Sequence, residues 1–179
     1  FDIGSDNSFQ SGIGLVTLNG VVSQTGAGAV NLQKRQGGAL ILTADNTYNG
    51  FTQVQQGRLV LANLGAAGNA GSNIVMEMQN DRRGDLEFRM DGTGPFIFDN
   101  SIVTSGNDGN ETRVITVGSF NGSSSNQTVQ LAGNLTIGHG GTYAVDGGAH
   151  SAIYFDGFNG YQFEVVGTTN LNRSLVFRT

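Results

Sequence analysis

Apolar residues fall in short runs that alternate with polar positions along the chain, and Gly, Asn or Asp separates nearly every pair of runs. A period of two between turn residues is typical of β-strands joined by tight turns. Almost no stretch has the 3.6-residue period of an amphipathic helix. The pattern therefore predicts a nearly all-β chain.

The pattern predicts seventeen short strands, whose centres recur about every ten residues. The first six are Ile13–Leu18, Gly20–Ser23, Ala29–Leu32, Ala39–Leu42, Thr52–Gln55 and Arg58–Ala62. The next five are Asn73–Gln79, Asp85–Met90, Pro95–Phe98, Ser101–Thr104 and Arg113–Gly118. The last six are Gln127–Leu131, Asn134–Gly138, Thr142–Val145, Ser151–Phe155, Tyr161–Val166 and Ser174–Phe177.

Alternation within a strand predicts which side chains point inward. In Asn73–Gln79, the apolar Ile74, Met76 and Met78 share one face, and Asp85–Met90 alternates in the same way. One face of each strand is therefore expected to be buried and the other wet. A sandwich, a barrel and a solenoid all satisfy this alternation.

The number of strands and the turn residues favour the solenoid. Seventeen strands are many for one sandwich of this length, in which longer antiparallel strands are expected. Gly and Asn tolerate the left-handed backbone angles that tight corners need. The chain has only one Pro, as expected where nearly every strand donates to a ladder on both sides. A β-solenoid of short parallel strands with Gly and Asn corners is the predicted fold.

Composition agrees with one folded domain over residues 1–179. The chain has 29 Gly, 18 Asn, 15 Thr and 13 Ser, and 37% of its residues are hydrophobic. Charged residues make up 13%, about half the usual share of roughly 25%. A disordered polyampholyte or a coiled coil would need many more charges, so both classes are excluded.

Charge and cysteine content exclude further classes. The net charge is −5 and the nine basic residues form no stripe, which argues against nucleic acid as a partner. Without Cys there is no disulfide framework, thiolate zinc site or cysteine nucleophile. No apolar run approaches the roughly 18 residues of a membrane helix. Phe1 does not open a signal peptide, so the targeting segment of an exported protein would lie outside this chain.

Residues 34–61 read KRQGGALILTADNTYNGFTQVQQGRLVL and resemble the autotransporter-associated β-strand repeat, also called the passenger-associated transport repeat. The family pattern has a basic residue, glycines, two spaced leucines, then alternating Asn, Tyr, Gly and Thr, and a final Gly before Leu. The residues in register are Lys34, Gly38, Leu40, Leu42, Asn46, Tyr48, Gly50, Thr52, Val54, Gly57 and Leu59. Gln36 and Ala44 stand where the family usually has Gly. The stretch at 16–26 resembles the lead-in to such repeats.

The resemblance implies a right-handed parallel β-helix within a large exported bacterial surface protein, where the repeat aids passenger folding and transport. It implies no catalytic residues and no cofactor. The residues themselves agree, since Asn46 and Asn49 with Gly50 supply a corner between apolar runs. We expect the Asn46 amide to stack with an Asn on an adjacent coil and to bond the backbone there.

Arg83, Gly84 and Asp85 spell the tripeptide that integrin ligands display. This gives a candidate adhesion site. The alternative is a turn between two strands, in which Asp85 starts the next wet face.

Two clusters offer oxygen donors for a metal. They are the run at 107–111 and the set Asp2, Asp6 and Asn7. Neither matches an EF-hand loop, and the stretch at 140–148 is a poor match to a calcium-binding nonapeptide, so turns explain both better. His139 and His150 lack the further ligands of a zinc site and are expected in exposed loops. No metal or cofactor is predicted.

Polysaccharide hydrolases and lyases provide the enzymatic alternative, because they also use parallel β-helices. Glycoside hydrolysis needs two carboxylates across a groove, and Glu77, Asp85 and Glu87 lie on predicted wet faces of consecutive strands. Lys34, the sole Lys, falls inside the repeat and is a poor lyase base. Ion pairs with nearby arginines explain the acids more simply, and these are Arg82, Arg83 and Arg89. We therefore predict no enzyme.

The sequence predicts a structural, extracellular β-solenoid of a bacterial surface. Both the start at Phe1 and the finish at 175–179 are strand-like and carry no capping helix, although solenoids need capped ends. The expected partners are neighbouring coils of a longer passenger or second copies stacked end to end into a stalk or filament. An adhesin that binds a glycan or a cell-surface ligand through its lateral face is the alternative.

Overall fold

A computed structural model describes residues 14–77, 84–105, 113–138, 153–171 and 175–177 of the chain. Seven strands form one sheet, in the order β1 (Leu15–Leu18), β3 (Ala39–Leu42), β5 (Gly57–Leu61), β7 (Gly84–Arg89), β10 (Arg113–Gly118), β13 (Ile153–Gly157) and β16 (Leu175–Phe177). Six form a second, β2 (Leu32–Lys34), β4 (Thr52–Val54), β6 (Asn73–Glu77), β9 (Ser101–Ser105), β12 (Leu135–Ile137) and β15 (Thr169–Leu171). A third sheet contains β8 (Phe96–Phe98), β11 (Thr128–Leu131) and β14 (Gln162–Val165).

The pairing of the strands is that of a parallel β-helix. Leu15 pairs with Ala39, 24 residues on, and Ala39 pairs with Arg58, 19 residues on, so each turn of the chain lies on the previous one. Every described pairing is parallel, which excludes the sandwich and the barrel left open by the alternation alone. The described part of the chain contains no helix, and hence none that spans a membrane.

We call each full turn a coil. Six coils are described, at residues 15–34, 39–54, 57–77, 84–105, 113–137 and 153–171, and β16 begins another. Coils 1 to 3 contribute strands only to the seven-stranded and six-stranded sheets. From β8 onward each coil adds a strand to the three-stranded sheet, so the cross-section changes between coils 3 and 4.

The core runs along the solenoid axis and consists of stacked aliphatic and aromatic side chains. Phe88 and Phe98 meet edge to face with centroids 4.6 Å apart, and Phe155 stacks on Phe163 at 5.0 Å. The predicted inward positions Ile74, Met76, Leu86 and Phe88 are fully buried, and Met90 is 3% exposed. Met78 lies outside the described residues. Alternation thus identified the buried face of β6 and β7, but the opposite face is not wholly wet, since Glu77 and Glu87 there are each only 8% exposed.

The strand predicted at Gly20–Ser23 is wrong. The chain there lies against coil 2, but the Val22 amide donates to the Asn46 side chain and the Val22 carbonyl accepts from Thr47, in place of a regular ladder. The strand predicted at Ala29–Leu32 begins only at its last residue and continues as β2. The strand predicted at 142–145 lies outside the described residues.

Candidate functional site

The repeat motif is the candidate site. Lys34 at the end of β2 is its charged residue, and only 1% of its surface is exposed. Its ammonium group donates to the carbonyl oxygens of Arg35 at 2.9 Å, Gln36 at 2.6 Å, Gly37 at 3.0 Å and Gln56 at 3.0 Å. An ammonium group has three protons, so these four acceptors share them. Lys34 therefore fixes its own corner and joins it to the next one, and the surrounding carbonyls leave it unsuited to act as a lyase base.

Glycine is required around this ammonium group. Gly38 and Gly57 have φ angles of 79° and 75°, and a Cβ on Gly57 would lie 2.8 Å from Lys34 Nζ. Gln36, one of the two departures from the family pattern, also has a positive φ, 63°. Ala44, the other departure, is not among the described residues with positive φ. Only the departure at Gln36 therefore carries a backbone penalty.

Asn46 joins three coils. Its Oδ1 accepts from the Val22 amide of coil 1 at 2.7 Å, and its Nδ2 donates to the carbonyl oxygen of Ala66 after β5 at 2.7 Å. The expected bond to the backbone is confirmed on both sides, and the side chain is 4% exposed. The stack expected between Asn46 and another Asn is wrong, since both partners of its amide are backbone groups; an Asn–Asn bond joins Asn69 and Asn49 instead.

Tyr48 and Thr52 form a buried hydroxyl relay. Tyr48 Oη donates to Thr52 Oγ1 at 2.5 Å, and Thr52 Oγ1 donates to the Ala67 carbonyl oxygen at 2.8 Å. Burial raises the pKa of Tyr48 to about 12, although the hydrogen bond with Thr52 opposes the shift. Both hydroxyl groups thus have hydrogen-bond partners inside the coil, where burying an unpaired hydroxyl would destabilise the fold.

The remaining motif residues have packing roles. The predicted inward apolar side chains are wholly buried, and they are Leu40, Leu42, Val54, Leu59 and Leu61. Gly50 lies so close to coil 1 that an added Cβ would collide with the Val30 carbonyl group. The motif therefore specifies side-chain packing and corner geometry, and its described residues present no reactive group to solvent.

The integrin-type tripeptide is only partly described, since Arg83 lies outside the described residues. Gly84 opens β7 and pairs with Gly57. Asp85 Oδ1 accepts from the Val114 amide on the next coil at 3.1 Å. Asp85 thus belongs to a strand and connects two coils. The turn expected before it lies outside the described residues, and its role in adhesion stays a prediction.

The three candidate carboxylates do not share a face. Glu77 ends β6 in the six-stranded sheet, whereas Asp85 and Glu87 lie on β7 in the seven-stranded sheet. Glu77 was expected to lie beside Asp85 and Glu87 because their strands are consecutive in sequence. It does not, because successive strands of a solenoid belong to different sheets. Glu87 pairs with Arg89 at 2.8 Å, as predicted, and with Arg58 at 3.2 Å.

A polar ladder on the six-stranded sheet was missed by sequence reasoning. Gln33 Nε2 donates to Gln53 Oε1 at 2.9 Å, Gln53 Nε2 donates to Glu77 Oε2 at 2.8 Å, and Arg35 donates to Gln33 at 2.8 Å. The ladder joins coils 1, 2 and 3 along their outer face. The recurrence of Gln at register-matched positions was its only sequence signal.

Asp91 is a second missed residue. Its Oδ1 accepts from the Ser119 hydroxyl and, at 3.0 Å, from the Phe120 amide, and its Oδ2 accepts from the Asn121 amide at 3.0 Å. Partial burial raises the pKa of Asp91, but these bonds and one from Ser123 outweigh it and hold the pKa below its usual value. Asp91 therefore anchors the loop after β10; an Asp-Gly turn was the only sequence signal.

Several predicted candidates lie outside the described residues. These are Asp2, Asp6, Asn7, the cluster at 107–111, His139, His150, Arg82 and Arg83. Within the described ranges, no group of three or more His, Asp or Glu side chains is placed to hold a metal ion.

Comparisons with known proteins agree with the motif. Residues 32–61 match the passenger-associated-transport-repeat family model. A segment of 60 residues is 37% identical to the Adhesin BmaC autotransporter of Brucella suis biovar 1 (strain 1330), and it covers 34% of this chain but only 2% of that protein. No solved structure matches the chain at a significant level. The resemblance is confirmed, and it indicates an extracellular, cell-surface passenger-type β-helix.

Proposed function

We propose that this chain is a non-enzymatic structural segment of a bacterial surface passenger, and that its coils stack end to end on further coils to form a stalk or filament. The proposal starts from the repeat at 32–61 and the parallel ladder built on it. The observation that carries it is the exposure of apolar side chains on the first and last described coils.

Apolar side chains become exposed at both ends of the described solenoid. Ile137 on coil 5 is 1% exposed, whereas Leu171, its register partner on coil 6, is 54% exposed. At the other end, the inward-facing Val16 and Leu18 on coil 1 are only partly buried, although their partners Leu40 and Leu42 on coil 2 are wholly buried. A further coil would cover such side chains, as each inner coil covers those of its neighbours.

The strand edges support the same arrangement. Within the described residues, β1 pairs only with β3, and β14 and β15 pair only with β11 and β12. Such edges leave backbone donors and acceptors that another strand can bind. A head-to-tail contact between unlike ends does not close on itself and therefore produces a fibre.

Solution scattering and electron microscopy over a wide range of concentration test this proposal. We expect elongated species that grow with concentration, and a monomer that stays unchanged throughout the range would contradict self-stacking. Leu171→Asp should abolish growth because it places a charge at the open edge of the six-stranded sheet. Ile97→Asp is the matched control, since Ile97 is 47% exposed on the side of the solenoid, and it should assemble like the unchanged protein.

An adhesive passenger is the second candidate, favoured by the name of the BmaC relative. If the tripeptide mediates adhesion, Asp85→Glu should reduce cell attachment to immobilised protein; unchanged attachment would eliminate it. The adhesin relative also favours a non-enzymatic role. Incubation with soluble polysaccharides should therefore release no product, and any release would revive the hydrolase and lyase alternatives.

A further inference from the structure

A lateral groove of about 470 Å³ runs along the solenoid at the carboxyl ends of β3, β5, β7 and β10. Parallel strands of one sheet all end at the same edge, so residues 43 and 45, 62–64, 90–91 and 120–121 from four successive coils meet there, and Phe96 at the start of β8 joins them. Neighbouring coils are roughly 4.8 Å apart, which gives the groove a length of about 14 Å. Its volume lies within the roughly 300–1,000 Å³ of small-molecule sites.

The groove lies where the cross-section changes. Coils 2 and 3 turn directly from the seven-stranded to the six-stranded sheet, whereas coils 4 and 5 first enter the three-stranded sheet at β8 and β11. Residues from both kinds of coil line the groove, so the change from one to the other accounts for a concave surface on an otherwise regular stack.

The groove combines buried and exposed apolar side chains. Met90 and Phe96 are 3% and 9% exposed and supply its buried apolar lining. Leu64 and Phe120 line it with 44% and 39% of their surfaces exposed. The Asp91 carboxylate holds the Phe120 amide at 3.0 Å, so the loop that carries this ring is fixed beside the groove.

Two polar side chains in the groove have hydrogen-bonding atoms that the described residues leave available to a ligand. Among the described residues, none donates a hydrogen bond to the Asp45 carboxylate, and Asn63 uses only its Oδ1, which accepts from Gly65 at 2.9 Å. Asn121 also lines the groove. Carboxylate acceptors, amide donors and an exposed ring are the groups that bind hydroxyls and the C–H face of a sugar.

Charge decides which sugars fit. The lining contains Asp45 and Asp91 and no Lys, Arg or His, so uronates and other anionic sugars would be repelled. We propose that the groove binds a neutral glycan, whose pyranose ring packs on Phe120 and whose hydroxyls bond Asp45, Asn63 and Asn121. The site gives the adhesive candidate a ligand class, and it is independent of end-to-end stacking.

Isothermal titration calorimetry on the full chain tests the site. The probes are neutral tetrasaccharides of glucose, galactose, mannose or N-acetylglucosamine, with trigalacturonate and tetralysine as charged comparisons. We expect saturable binding of at least one neutral tetrasaccharide. Binding of no neutral probe, or of a charged probe alone, would overturn the proposal; tetralysine alone would indicate a basic peptide ligand.

Variants connect binding to the groove. Phe120→Ala should weaken binding at least tenfold, Phe120→Tyr should retain it, and Asp45→Asn should weaken it. Phe158→Ala is the control, because Phe158 is 50% exposed and packs against Arg89 outside the groove. Equal effects of Phe120→Ala and Phe158→Ala would place the ligand elsewhere. Phe120→Ala should still assemble in scattering, so failure of this site and failure of the stacking proposal are distinguishable.

Discussion

The Lys34 ammonium group donates a hydrogen bond to the carbonyl oxygen of Gln56, 3.0 Å away and 22 residues further along the chain. Three further acceptors of this group among the described residues belong to its own corner. One buried charge thus joins two corners by donating to carbonyl groups of both. This contact gives a physical reason for a basic residue at the start of the repeat.

Lys34→Met should destabilise the protein by about 3 kcal/mol, because it keeps the stem but leaves buried carbonyl groups without their charged donor. The measurement is urea unfolding followed by circular dichroism. Arg35→Met is the adjacent control; Arg35 is exposed, and its loss should cost about 0.5 kcal/mol or less. An equal decrease in the free energy of unfolding in the two variants would show that the buried ammonium group does not stabilise the corners.

Asn46→Ala should cost about 2 kcal/mol, because the Val22 amide and the Ala66 carbonyl would each lose a partner in a buried corner. Asn49→Ala is the matched control, since Asn49 is exposed and receives a bond only from another exposed side chain among those described. It should cost no more than about 0.5 kcal/mol. Equilibrium unfolding in urea compares them, and an Asn46→Ala protein as stable as the control would contradict the three-coil bridge.

The buried core could be predicted from the sequence, because the alternation within a single strand is enough to show that a side chain such as Leu40 or Leu59 points inward. The grouping of strands into sheets could not be predicted in the same way. Glu77 and Glu87 are ten residues apart but lie on different sheets, since a corner between strands changes the sheet. The lateral groove depends on the register of four coils of unequal length, which single-strand periodicity does not determine.

Gln36→Gly should stabilise the protein by about 1 kcal/mol, since Gln36 has a φ of 63°, a region that costs a side chain roughly 1–2 kcal/mol. Ala44→Gly makes the same kind of change toward the family pattern at a position without positive φ. It should instead destabilise by about 0.5–1 kcal/mol, because Gly loses more backbone freedom on folding. In thermal and urea unfolding, Gln36→Gly should therefore raise the stability and Ala44→Gly should lower it. A change in the same direction for both would contradict a backbone penalty confined to Gln36.

Stability should fall between pH 10 and pH 12 because of Tyr48. Burial raises its pKa in the folded protein to about 12, whereas an exposed tyrosine titrates at 10.0. Below pH 10 both states keep the proton, and above pH 10 the unfolded chain loses it first, so the free energy of unfolding decreases with pH. Two pKa units correspond to about 3 kcal/mol at the end of this window.

Tyr48→Phe isolates this contribution. At neutral pH the variant should be about 1 kcal/mol less stable than the unchanged protein, because it lacks the hydrogen bond to Thr52. Above pH 10 its stability should decline less steeply, so that the two stability curves cross before pH 12. Tyr161→Phe also removes a buried hydroxyl, which donates to the Met90 carbonyl at 2.5 Å, and serves as the control. Urea unfolding at a series of alkaline pH values measures all three proteins, and parallel curves for Tyr48→Phe and the unchanged protein would contradict a raised pKa at Tyr48.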